Sequence, residues 1–195
     1  MNADTGTGRS PLAAGALVRM AHEQAGELVV VAVGPLTNLA LALTLDPGIT
    51  GLVRRVVVMC GAVLAPGNAT PVGEANIWHD PEAAGRVLTA GLPVPLVPLD
   101  VTMRQTMTRD HQATLASSQS RTARALAAML DCYLDFYRGV FVEPRCALHD
   151  SLAVAIALGD VPVTAAAVTH VRVQRRPARP AARPWPTCAP GIGVR

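Results

Sequence analysis

Lysine is absent from this sequence and aromatic residues are rare. All 17 basic residues are arginines, and aromatics make up 3% of the 195 residues, so a core must be aliphatic. No apolar run reaches the roughly 18 residues that a membrane-spanning helix needs, and the polar N-terminus (MNADTGTGRSP) is not typical of a signal peptide. The four scattered cysteines form no CxxC pair, which argues against a zinc or redox motif. We therefore expect a cytoplasmic protein without a membrane span.

The net positive charge of the chain comes from its C-terminal segment. The formal charge is +3, but residues 175–195 contain five arginines, five prolines and no acid. The rest of the chain has 12 basic and 14 acidic residues, so it gives no reason to expect a nucleic-acid partner. We expect residues 175–195 to be irregular, and a nucleic-acid-binding arm there is the less favoured alternative.

Strand and helix patterns alternate along the first half of the chain. Half of the residues are hydrophobic, which is enough for one buried core of ordinary domain size. The patterns predict helices over 11–25 and 36–45, strands over 28–33, 53–59 and 94–99, and a helix opened by Asp80–Pro81–Glu82 and closed by Gly91. This alternation predicts an α/β fold with a mostly parallel sheet flanked by helices.

The second half is predicted to be mainly helical. An amphipathic helix covers 121–138, a loop covers 139–148, and a buried helix capped by Asp150 covers 150–158. A last strand is expected over 168–174. The domain organisation is then a disordered N-terminus over 1–10, a folded domain over 11–174 and the irregular segment 175–195.

Polar side chains follow the predicted strands where a parallel sheet binds its ligands. They are Thr37 and Asn38 after the first strand, Asn68, Glu74 and Asn76 on the long loop after the second, and Asp100 after the third. Two amides beside a carboxylate suit the hydroxyl groups of a sugar. A loop of roughly 20 residues is also long for a compact domain, and such loops are often functional.

Each motif alone also has a simpler structural interpretation. Thr37 or Asn38 could cap the helix that follows, and Asn68 could be an ordinary turn residue. Glu74 and Asn76 could be solvated loop residues, and His149 could simply precede a helix capped by Asp150. The functional interpretation depends on the order and spacing of all the motifs together.

Four segments in this order resemble the inosine–uridine-preferring nucleoside hydrolase family. They are VAVGPLTNLALAL, VVVMCGAVLAPGNATPVGEANIWHDPEAAGRVL, GLPVPLVPLDVT and HDSLAVAIAL, and the resemblance covers about residues 11–173. It implies hydrolysis of the N-glycosidic bond of a ribonucleoside to ribose and free base, with a bound calcium ion. It also implies a nucleoside hydrolase-like fold and the possibility of a homo-oligomer.

The resemblance assigns roles to individual residues of this chain. The backbone carbonyl of Thr37 and the carboxylate of Asp150 would be calcium ligands. Asn68, Glu74 and Asn76 would hold the ribose hydroxyls, with Met59 lining the sugar pocket. His149 would be the catalytic acid beside the leaving base. Such a site would stabilise an oxocarbenium-like transition state, and calcium favours oxygen ligands of this kind.

The sequence departs from the family pattern at its start. The family's DxDxxxDD cluster, which supplies most calcium ligands and the base that activates water, is not found, and Asp4 lies too close to Thr37 to replace it. We therefore expect an N-terminally truncated member that lacks the family's first strand. Smaller departures are Cys60 after Met59 and Ala75 in EANI, and the change after residue 174 would suit a frameshift.

Two functional hypotheses follow from this comparison of motifs. The first is a nucleoside hydrolase or a fragment of one, with weak or lost activity. The second is a non-catalytic remnant that binds a sugar or a homologous subunit. Neither the preference for purine or pyrimidine nor the oligomeric state follows from the sequence.

Overall fold

A two-stranded parallel sheet forms the centre of the first half of the molecule. The computed structural model describes residues 11–174, with β1 at Val29–Ala32 and β2 at Arg55–Val58. Val29 pairs with Arg55 and Ala32 with Val58, and a parallel bridge joins Val58 to Leu96. The predicted α/β fold with a parallel sheet is therefore confirmed.

Helices surround this sheet and form most of the second half. The helices are α1 Pro11–Glu23, α2 Thr37–Leu45, α3 Ala75–His79, α4 Pro81–Leu88, α5 Leu99–Thr102, α6 Arg109–Ala116, α7 Arg121–Phe136 and α8 Asp150–Leu158. Two 3-10 turns lie at Pro47–Gly51 and Tyr137–Gly139, and β3 Thr106–Thr108 pairs antiparallel with β4 Arg145–Ala147. Within residues 11–174 no helix has both the length and the apolar character to cross a membrane.

The side chains of β2 alternate between two apolar clusters. Val56 and Val58 pack with residues of α1, α2 and α4, whereas Val57 and Met59 pack with Leu152 and Ala153 of α8. Successive residues of a strand point to opposite faces of the sheet, so β2 is buried on both sides. This explains its continuous run of valines.

Two of the predicted strands are not formed as strands. Residues 94–99 do lie beside β2, where the carbonyl groups of Pro93 and Pro95 accept bonds from Val56 and Val58. However, proline has no N–H to give, so only one bridge forms, and the chain turns into α5 at Leu99. The strand predicted over 168–174 is wrong, because that segment has no regular secondary structure.

The second half also differs from prediction in two details. The segment 139–148 was expected to be a loop, but it contains β4, which pairs with β3. Asp150 was expected to cap α8, but it is the first helical residue, and His149 stands at the cap position without a capping side-chain bond. The predictions for residues 1–10 and 175–195 lie outside the described residues.

Candidate active site

The loop after β2 is organised around the buried carboxylate of Glu74, which is 3% exposed. Its Oε2 accepts a hydrogen bond from the N–H of Gly61 at 3.0 Å and another from Ile77 at 3.2 Å. Its Oε1 accepts from the N–H of Asn76 at 2.9 Å, so Glu74 also caps α3. The simpler interpretation of Glu74 as a solvated loop residue is therefore wrong.

The two predicted amide residues lie on either side of Glu74 in the same loop. The Oδ1 of Asn68 accepts from the N–H of Ala75 at 2.9 Å. The Nδ2 of Asn76 donates to the carbonyl of Met59 at 2.9 Å and lies 3.5 Å from its sulfur. Asn68, Glu74, Asn76 and Met59 thus form one group at the carboxyl end of β2. We call residues 59–76 the sugar loop, after the role that the sequence predicts for them.

The departure at Cys60 places a buried thiol within this loop. Burial, reinforced by the charge of Glu74, raises the pKa of the Cys60 thiol to about 12. The thiolate is the reactive form of cysteine, so this side chain is inert near neutral pH. Its role in the loop is packing.

Asp100 holds the first part of the sugar loop through the main chain. Its carboxylate accepts from the N–H groups of Val63, Leu64 and Ala65 at 2.9, 2.7 and 2.9 Å. Burial by itself raises the pKa of Asp100, but these three hydrogen bonds outweigh it and the pKa is lowered. Because both of its carboxylate oxygens accept main-chain hydrogen bonds, Asp100 stabilises the conformation of the loop.

Thr37 and Asn38 lie at the start of α2, at the end of β1. The residue at the cap position is Leu36, so neither side chain caps the helix as the simpler interpretation proposed. The hydroxyl of Thr37 instead donates to Oδ2 of Asp80 at 2.5 Å. Oδ1 of Asp80 accepts from the N–H of Ala83 and caps α4 as predicted, and these bonds lower the pKa of Asp80.

His149 is held between two hydroxyl groups. Its Nδ1 lies 2.7 Å from the hydroxyl oxygen of Thr102, and its Nε2 lies 2.7 Å from that of Tyr137. A neutral imidazole donates with one nitrogen and accepts with the other, and a hydroxyl can satisfy either. The ring therefore has a partner on both sides and is more than a residue preceding a helix.

The charges of the site connect His149–Asp150 to the sugar loop. Burial lowers the pKa of His149, while the nearby carboxylates of Asp150 and Glu74 act in the opposite direction. Burial also raises the pKa of Asp150, and Glu74 raises it further while His149 opposes it. Met59 of the sugar loop also lies in one apolar cluster with Leu152 and Ala153 of α8, so the second and fourth motifs converge in space.

Few acidic side chains are grouped near the predicted metal ligands in the part of the chain that the structure describes. Calcium takes six to eight oxygen ligands, and within residues 11–174 no three His, Cys, Asp or Glu side chains are grouped to hold a metal ion. Asp150 and the carbonyl of Thr37 have three oxygen atoms between them, fewer than calcium takes, and their assignment as metal ligands remains a prediction.

Sequence reasoning missed Thr102 and Tyr137. Tyr137 follows an amphipathic helix, and nothing in the local pattern separates it from the other aromatics of that segment. Thr102 ends the segment GLPVPLVPLDVT, two residues after Asp100. Its position beyond the end of a predicted strand was the one signal that could have identified it.

Comparison with known proteins decides the family. The family model described as inosine-uridine preferring nucleoside hydrolase matches residues 2–182. The chain belongs to this family. A probable uridine nucleosidase of Arabidopsis thaliana is 42% identical over 141 residues, which are 72% of this chain and 44% of that protein. A non-specific ribonucleoside hydrolase of Klebsiella pneumoniae is 39% identical over 150 residues, 75% of this chain and 47% of that protein.

Solved structures agree with this assignment. A plant nucleoside hydrolase has a TM-score of 0.73 at 32% identity, covering 83% of this chain and 52% of its own. The purine-preferring ribonucleoside hydrolase from Gardnerella vaginalis has a TM-score of 0.73 at 33% identity, covering 77% of this chain and 48% of its own. The chain therefore spans about half the length of the relatives it matches.

Proposed function

We propose that this chain carries the ribose-binding and leaving-base side of a nucleoside hydrolase site. The reaction is hydrolysis of the N-glycosidic bond of a ribonucleoside to ribose and free base, in the cytoplasm. One observation carries the proposal. The buried Glu74 lies in a loop with Asn68, Asn76 and Met59, and its charge acts on His149 and Asp150.

The chemistry of these side chains supports a sugar ligand. Glu74 accepts three main-chain bonds, and a carboxylate has about four acceptor sites, so one acceptor site is left for a hydroxyl. The amide of Asn76 donates to Met59, which leaves its oxygen to accept from the sugar. The carboxylates of Glu74 and Asp150 would stabilise positive charge as the ring becomes oxocarbenium-like.

We propose that His149 faces the leaving base. Its lowered pKa keeps the ring mostly neutral near pH 7, and when it is protonated it is a stronger acid than an ordinary histidine. A histidine of this kind can supply the proton that a departing base needs. Both ring nitrogens are bonded to hydroxyl groups in this structure, so the proton would reach the base through one of these hydroxyls or after one of the two bonds opens.

Calcium would hold the ribose hydroxyls and the attacking water in a complete family site. The two residues proposed as its ligands, Thr37 and Asp150, offer fewer oxygen atoms than calcium takes, so no step of this proposal passes through it. We therefore propose that the 195-residue chain on its own turns over nucleosides weakly or not measurably at low enzyme concentration.

The test is release of free base from inosine and uridine, with added calcium and with a chelator. We expect slow release that His149→Gln abolishes. His22→Gln is the matched control, because His22 lies on α1 and pairs with Asp46 away from the site. No release by the wild-type chain even at high enzyme concentration would overturn catalysis by this chain.

A second candidate is a non-catalytic protein that binds a sugar or a homologous subunit. The observation that favours it is the combination of a well-ordered sugar loop with a small metal donor set. Calorimetric titration with ribose and with calcium separates the two, since tight calcium binding by the isolated chain would contradict this candidate. Sedimentation of the chain tests the proposed homo-oligomer.

A further inference from the structure

Thr102 is a fully buried polar residue in contact with the ring of His149. It is 0% exposed, and its hydroxyl oxygen lies 2.7 Å from Nδ1 across 47 residues of sequence. A buried hydroxyl without a partner is costly, so this contact specifies a definite side-chain arrangement. The hydroxyl of Tyr137 lies at the other nitrogen, so both ring nitrogens have a hydroxyl partner.

Thr102 belongs to the same short helix that holds the sugar loop. The N–H of Leu99, at the start of α5, donates to the carbonyl of Gly61 at 2.9 Å. Asp100, the next residue, accepts the three main-chain bonds of Val63, Leu64 and Ala65. One turn of helix therefore binds the loop with its first residues and His149 with its last.

We propose that Thr102 is a positioning residue, which sets the orientation of the His149 ring relative to the sugar loop. Because α5 is bonded to that loop, a hydroxyl on α5 keeps the imidazole in register with the group that would hold the sugar. This role rests on the proposed function. In that reaction the His149 ring must face the base while the sugar loop holds the ribose. A displacement of about 1 Å in such a group is enough to slow a reaction strongly.

Substitutions at Thr102 distinguish the effect of its hydroxyl group from that of its methyl group. Thr102→Val removes the hydroxyl and keeps the shape, Thr102→Ala is a second hydroxyl-free variant should the first not fold, and Thr102→Ser keeps the hydroxyl. Thr44→Val is the matched control, because its hydroxyl bonds only to the carbonyl of Ala40 on α2.

The decisive measurement is the NMR chemical shift of each ring nitrogen of His149. The two signals are assigned by their absence from the spectrum of His149→Gln. Without the hydroxyl, Nδ1 faces no partner, and an unpaired buried N–H is less tolerated than an unpaired acceptor. We therefore expect Thr102→Val and Thr102→Ala to favour the form protonated on Nε2 and, in either tautomer, to move the Nδ1 signal because that nitrogen loses its partner. Thr102→Ser and Thr44→Val should leave the shifts as in the wild type.

Wild-type shifts in the hydroxyl-free variants would overturn the proposal. So would a change in Thr102→Ser as large as in Thr102→Val, since that would assign the effect to packing of the methyl group. The spectra need no substrate, so they test the positioning role separately from the proposed function. If the chain turns over nucleoside, we expect Thr102→Val to lower kcat about tenfold with KM unchanged, a part of the usual contribution of a general acid.

Discussion

The sugar loop and the His149–Asp150 segment are held in place by different kinds of contact. In the loop, the carboxylates of Glu74 and Asp100 bind main-chain N–H groups, so the path of the chain is fixed by charge. His149 is held by the hydroxyls of two other side chains. The path of the loop thus depends mainly on two carboxylates that meet main-chain groups, whereas the histidine depends on two particular side-chain partners.

The largest expected effect is the loss of the carboxylate at the centre of the loop. Glu74→Gln places an amide NH2 group against N–H donors that now meet a carboxylate oxygen. Hydrogen bonds to charged groups are worth about 1.5–3 kcal/mol each, so we expect the free energy of unfolding to fall by about 3 kcal/mol. Urea unfolding measures it.

Glu82→Gln is the control for that variant. Glu82 is exposed in the first turn of α4, where a charge is worth only about 0.5 kcal/mol. Equal losses in the two variants would mean that the loop is not held by Glu74, and the contrast between the two regions would disappear.

A somewhat smaller effect is expected at Asp100. Asp100→Asn replaces one acceptor oxygen by a donor that faces the N–H groups of residues 63–65. We expect a loss of about 2 kcal/mol in the free energy of unfolding near neutral pH. Limited proteolysis in the loop should increase in parallel, and an unchanged cleavage pattern would contradict the role given to Asp100.

The pH dependence of stability gives the same residue an independent test. The pKa of Asp100 is lower in the folded chain than in the unfolded one, so its carboxylate stabilises the fold above the unfolded value of about 3.9. That contribution is lost as the pH falls from there through the lower folded pKa. We expect the acid-induced loss of stability to be smaller in Asp100→Asn than in the wild type.

The sugar loop and the elements around it could be predicted from sequence more fully than the surroundings of His149. Valine runs, prolines and the Asp80–Pro81–Glu82 start define β1, β2 and α4 through local preferences, and the loop follows from its place after β2. The strand over 94–99 failed because its prolines cannot donate, a cost that hydrophobicity alone does not reveal. The position of Thr102 beyond a predicted strand could mark it as a candidate, but its contact with His149 could not be predicted, because the two residues are 47 positions apart.

Tyr137→Phe tests the second region with a smaller expected loss. It removes the hydroxyl at Nε2 of His149 and keeps the ring, which stacks on Phe141 at 5.6 Å between centroids. We expect the free energy of unfolding to fall by about 1 kcal/mol, the usual worth of one neutral hydrogen bond. Combined with Asp100→Asn, the losses should add, since the two variants share no partner. A clear departure from additivity would measure how strongly α5, which is bonded to both, couples the loop to the histidine.

The smallest expected effect is a change in the pKa of His149, which reports how close the sugar loop lies to that ring. The carboxylates of Asp150 and Glu74 both raise the pKa of His149 against the effect of burial, with Asp150 the stronger. Asp150→Asn should therefore lower the pKa of His149 further, Glu74→Gln should lower it less, and Glu82→Gln should leave it unchanged. Titration of the ring signals by NMR measures each shift under conditions where the variants are folded. If Glu74→Gln leaves the pKa of His149 unchanged, the sugar loop is too far away to share a substrate with that ring.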